Sequence, residues 1–273
     1  MEKNSSSRLW AMYKKDVMNL RTESIFMLAF VLGINAFVYY QVVTTESTLG
    51  ASGYGVLSSM VVFGALFLVF IRSFSLVSSE WKDNTLHMIM PLPIGGNTIF
   101  FSKLLAILTQ AFIVGSISFG LTLGAVYMIL ELEDVQQIFN FLAMDSGGLL
   151  SSNIAEIFKM AGYGFISFAS LIVIVFFSSV VGRMFTKLSG LITFVVFILS
   201  NVLLGQATRL VDSVVDFEQG SRVMYLGDPG AQMTGSMTFM GTPELLFGIF
   251  FTVGTSVLFF LATTYLYEKK VEL

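Results

Sequence analysis

Six stretches of the chain stay apolar for long enough to cross a hydrocarbon core about 30 Å thick, which takes about 17–25 helical residues. They fall at 24–43, 55–77, 99–130, 160–181, 188–205 and 245–267. Each predicts an α-helix, because backbone N–H and C=O groups facing lipid must be bonded within their own segment. The third stretch exceeds one crossing and predicts a tilted helix, or one that begins in the interface. The polar–apolar alternation of a lipid-embedded barrel is absent. Ahead of the first stretch, Leu9, Trp10, Tyr13, Val17 and Leu20 recur at helical spacing, opposite Lys14, Lys15, Asp16 and Asn19. That stripe predicts an amphipathic helix over 8–21 in the membrane interface, or an ordinary basic juxtamembrane anchor. The expected fold class is an all-α integral membrane protein: one transmembrane domain over 1–273, with six transmembrane helices preceded by an amphipathic interfacial helix.

Composition agrees with this pattern. Only 12% of the 273 residues are charged, about half of the roughly 25% usual for soluble domains, and too few to coat a soluble surface. The placement of those charges gives an orientation. With the N-terminus cytoplasmic, twelve of the fifteen basic residues fall inside, and only Lys159, Arg209 and Arg222 fall outside. Eleven of the eighteen acids lie in the outer segments on the same assignment. Both termini are thus expected in the cytoplasm. A cytoplasmic loop spans 78–98, and long outer segments span 131–159 and 206–242. The first apolar run begins near residue 24, is of full length and lacks a small-residue cleavage site, so no cleaved signal peptide is expected.

The inventory of reactive groups is short. There is no Cys and one His, His87, which leaves no thiolate or multi-His metal site. A P-loop needs G-x-x-x-x-G-K-[ST] so that backbone N–H groups can wrap phosphates, and no segment fits it. HExxH is absent, and a net charge of −3 argues against a nucleic-acid partner. No enzymatic activity or cofactor is expected in this chain. Within the spans the polar residues Asn35, Arg72, Gln110 and Asn201 are candidates for lining a pathway or for bonding helices together. Arg72, about a turn and a half from the cytoplasmic end of its span, can also snorkel to the interface. Ser116, Gly120 and Gly124 form a ladder of small residues that would let another helix approach.

The cytoplasmic loop reads Glu80-Trp81-Lys82-Asp83-Asn84-Thr85-Leu86-His87-Met88-Ile89-Met90-Pro91-Leu92-Pro93-Ile94, followed by Ser102-Lys103-Leu104-Leu105. Ser78 or Ser79 can cap a helix there, with Glu80 and Asp83 near its positive end. Met88 to Met90 offer adaptable apolar contact, and Pro91 and Pro93 end the helix and stiffen its exit. The segment resembles the first cytoplasmic loop of type-2 ATP-binding-cassette exporter permeases. That pattern has an acid, Thr-Leu beginning five positions later, a Pro-hydrophobic pair and a Lys-Leu-Leu opening the next span. Glu80, Thr85, Leu86, Pro93, Ile94 and Lys103 to Leu105 match without a gap, whereas Gly95-Gly96 stands where the family has Ser-Arg. The six-span plan and short charged tail are similar as well.

The resemblance implies a half-size permease whose loop docks on a separate ATP-binding subunit. Glu80, Asp83, Thr85, Leu86, Met88, Pro91 and Pro93 would be the coupling residues, and Mg-ATP would sit in the partner. It also implies a second permease copy, identical or related, with the first, second and fifth spans as the dimer contact, in a bacterial cytoplasmic membrane. Cargo of amphipathic or hydrophobic character, such as a peptide, toxin, antibiotic or lipid, suits a chain with 28 Phe and 15 Met. The alternatives are a non-transporting sensor or scaffold, and an ion-coupled secondary transporter.

Overall fold

The computed structural model describes residues 5–44, 50–82, 95–129, 150–185, 188–214, 222–226, 235–239 and 242–271. These form α1 (Ser5–Thr44), α2 (Gly50–Lys82), α3 (Gly96–Ile129), α4 (Leu150–Arg183), α5 (Ser189–Val214), strands β1 (Arg222–Leu226) and β2 (Gly235–Phe239), and α6 (Thr242–Val271). All six helices are long and apolar enough to cross a membrane. The protein is a multi-pass membrane protein of helical class.

The helices outrun the apolar stretches. α1 continues through 8–21 into 24–43 without a break, and its 40 residues span about 60 Å, twice a hydrocarbon core. α4 begins at Leu150, inside the segment read as an outer loop, and α5 continues to Val214. The segment 206–242 also holds a short antiparallel hairpin, β1 against β2 with Arg222 opposite Phe239 and Leu226 opposite Gly235. Five-residue strands between clusters of turn residues give too weak a periodicity to be read beforehand.

The chain divides into two compact units: Met1–Gly148 with Thr264–Leu273, and Leu149–Thr263. In the first, α1 packs on α3 and α2, and α2 packs on α3. The face of α3 turned inward carries Ile99, Phe100, Ala106, Ile107, Ala111 and Val114, together with the polar Ser102, Lys103, Gln110, Ser118 and Thr122. Its outward face is Phe101, Phe112, Ile113, Ile117 and Phe119. Polar groups inside and large apolar groups outside invert the arrangement of a water-soluble helix, as lipid solvent requires. Gly115 lets α2 come close: a Cβ there would stand 3.3 Å from Leu66 Cδ2. Nothing among the described residues lies within 4 Å of a Cβ built on Gly120 or Gly124, so these two steps of the small-residue ladder meet no helix among the described residues.

In the second unit α4 packs on α5. The core is the run Ile172–Phe176 with Val180, while α5 buries little besides Ser200. The two helices meet through Gly182. A Cβ there would run into the Thr193 side chain and stand 2.7 Å from Ser189 O and 2.9 Å from Thr193 N, so only glycine fits. Phe177 of α4 and Phe259 of α6 add an edge-to-face contact with ring centroids 5.1 Å apart.

Candidate functional site

The segment that carries the family resemblance begins in α2 and ends in α3. Asp83, Thr85, Leu86, Met88, Pro91 and Pro93 lie outside the described residues. Glu80 lies in the last turn of α2, which passes through Ser78 and Ser79 and ends at Lys82. Neither serine therefore starts a separate helix. Glu80 sits at the electronegative end of a helix rather than at the positive end expected for it.

The exit of the segment is described in full. α3 opens at Gly96, whose N–H has no acceptor within the helix. It donates to Glu268 Oε1 of α6 at 3.0 Å, while Thr98 N–H donates to Gly95 O at 3.0 Å. A carboxylate at this position satisfies an orphan donor and complements the positive helix end. The fit is close: a Cβ on Gly96 would lie 3.2–3.3 Å from Glu268 and Tyr267. Tyr267 is buried against Phe100, ring centroids 5.2 Å apart and nearly perpendicular. The Gly-Gly that departs from the family pattern is thus where the last helix seats its side chains.

Two turns beyond Gly96, Lys103 Nζ faces Asp16 Oδ1 of α1 at 3.8 Å, both side chains almost fully buried. Ser102 Oγ donates to Ile99 O at 2.9 Å and stands 3.4 Å from Asp16 Oδ2. Thr109 donates to Leu105 O at 2.8 Å, so the Tyr13 hydroxyl is the donor in its 3.0 Å bond to Thr109 Oγ1. Asp16 was placed by the sequence on the water-facing side of the interfacial stripe. Instead it lies on the face that packs against α3, and Trp10 is among the most exposed residues of α1. Removing two charges from water is costly, and the pair holds because each compensates the other. α1, α3 and the end of α6 are thereby joined within two turns of the segment's exit.

The four pathway candidates lie on helices of both units. Asn35 Nδ2 donates to Val31 O at 2.9 Å and Asn201 Nδ2 to Phe197 O at 2.8 Å, each bonding back to its own helix. Arg72 does more than snorkel: it pairs with Glu23 of α1 and donates from Nη1 to Ser75 Oγ at 2.7 Å. Gln110 is 4% exposed, with Nε2 3.9 Å from the Met27 sulfur. Asn35, Arg72 and Gln110 belong to the first unit and Asn201 to the second.

Asp16, Glu23 and Glu268 make contacts between helices that their local sequence does not announce, because each is an acid close to basic residues. A signal for two of them was present. Tyr13, Asp16, Leu20, Glu23 and Met27 follow alternating steps of three and four, and Val31 and Asn35 continue the stripe. The chain matches no protein-family model, no curated protein and no solved structure.

Proposed function

We propose that this chain is the membrane-spanning subunit of an ATP-driven exporter of the type-2 ATP-binding-cassette class. Both termini and the loop 78–98 would lie in the cytoplasm, in keeping with the distribution of Lys and Arg. A separate ATPase subunit would bind Glu80 to Pro93, and two permease chains would enclose the pathway. The cargo class is amphipathic or hydrophobic, with a peptide as the first candidate to test.

The observation that carries this reading is the gap-free pattern from Glu80 to Leu105, whose exit is fastened to two other helices. Displacement of the segment would pass through Gly96 to Glu268 and through Lys103 to Asp16, and so to α6 and α1. A rigid-body movement of this kind needs no chemistry in the chain itself.

The test is affinity purification of the tagged full chain from membranes of its own host. A Walker-motif ATPase is expected to remain bound, and Glu80→Lys with Asp83→Lys to reduce its recovery about tenfold, which corresponds to about 1.4 kcal/mol. Purification without any ATPase, or recovery untouched by the charge reversal, overturns the reading. Cargo movement driven by a proton gradient without ATP would favour the ion-coupled alternative.

A further inference from the structure

We propose that the inward face of α3 forms a hydrated polar seam, in which Gln110, Ser118 and Thr122 bind water inside the first three-helix unit. The three positions are eight and four residues apart, which places them on one helical face. They are 4%, 0% and 8% exposed. Gln110 Oε1, Ser118 Oγ and Thr122 Oγ1 have no hydrogen-bond partner among the described residues.

Gln110 is the strongest of the three. Its carbonyl oxygen needs a donor, and the backbone N–H groups of a helix interior are already committed to the helix. Exchanging the two ends of the amide does not help, because the other position meets only the Met27 sulfur at 3.9 Å, a weak acceptor. Ser118 and Thr122 contrast with their neighbours on the same helix. Ser102 and Thr109 return their hydroxyls to Ile99 O and Leu105 O, whereas Ser118 and Thr122 do not. A polar group held away from both water and a protein partner in a membrane is strongly disfavoured, so the face calls for small hydrogen-bonding guests.

The extent of the face fits a seam better than isolated sites. From Lys103, which meets Asp16, to Thr122 the rise is about 28 Å, close to the thickness of a hydrocarbon core. The opposite face of the same helix is Phe112, Ile113, Ile117 and Phe119, all exposed. One helix therefore carries an apolar outer surface and an inner face on which polar groups are interspersed with Ile107, Ala111 and Val114. The inference does not depend on the exporter reading.

The chain contains no cysteine, so single thiols report on their own surroundings. Ser118→Cys, Thr122→Cys and the outward control Ile117→Cys would be treated, in native membranes, with a small cationic methanethiosulfonate. The thiolate attacks the sulfenyl sulfur of that reagent and displaces methanesulfinate, leaving a mixed disulfide, and it forms only where water reaches it. Ser118→Cys and Thr122→Cys are expected to react at least about tenfold faster than Ile117→Cys. X-ray radiolysis of the unmodified protein gives a second reading, because bound water beside Gln110 would oxidise Met27 faster than the outward-facing Met60. Reaction of Ser118→Cys at the control rate overturns the proposal. So does Met27 oxidation no faster than that of Met60, and this measurement decides the matter if the cysteine variants do not fold.

Discussion

Asp16 of α1 and Lys103 of α3 form an ion pair at 3.8 Å with side chains 5% and 3% exposed, fixing the first helix to the start of the third. Removing one partner leaves an uncompensated buried charge, which typically costs about 3–5 kcal/mol. Asp16→Asn and Lys103→Met are each expected to destabilise the protein by that order, and the double variant by less than the sum of the two. Thermal unfolding of the purified protein in detergent checks this, and strict additivity of the two effects would refute the pairing.

The contact between Glu268 and Gly96 makes a separate forecast. Glu268→Ala removes a helix cap, worth about 1 kcal/mol, and Gly96→Leu drives a side chain into Glu268 and Tyr267. Either change should release the end of α6 from α3. Limited proteolysis of a chain tagged at its C-terminus is expected to cut after Thr264 several times faster in both variants, with Glu268→Gln intermediate because it keeps the hydrogen bond and loses the charge.

Gly182 tests the second unit. Gly182→Ala should lower the yield of folded protein, since overpacking of this kind costs about 1–3 kcal/mol. Thr193→Ala should fail to rescue it, because Ser189 O and Thr193 N are backbone atoms that cannot be trimmed away. Rescue in the double variant would show that the side-chain clash alone matters.

Orientation has its own check. A cysteine at position 145 is expected to react with an impermeant maleimide in intact cells, while cysteines at positions 3 and 270 react only after the membrane is opened. The opposite pattern would invert the expected topology and place the loop 78–98 on the wrong side for any cytoplasmic ATPase.

The six helices were legible because each apolar run is as long as the solvent it must cross, a property of local sequence alone. Their partners were not. Asp16 is an acid beside Lys14 and Lys15, and local chemistry assigns such a cluster to water. Only the long stripe through Tyr13, Leu20 and Met27 shows that Asp16 shares the packing face. Arg72 was conspicuous as the one charge well inside a span, yet its partner Glu23 lies 49 residues away and on another helix. Glu268 was read as part of a charged tail, and nothing in the tail itself announces Gly96 as its target. Of the coupling residues only Glu80 falls among those described. Its position at the end of α2 comes from a helix that simply continues past the serines expected to start a new one.

The bond from Gly96 N–H to Glu268 Oε1 joins positions 172 residues apart. The start of α3 is made early in synthesis, yet its cap is supplied by α6, long afterwards. Until α6 is made, the first N–H groups of α3 must find another acceptor, so the first unit is completed only when the last helix arrives.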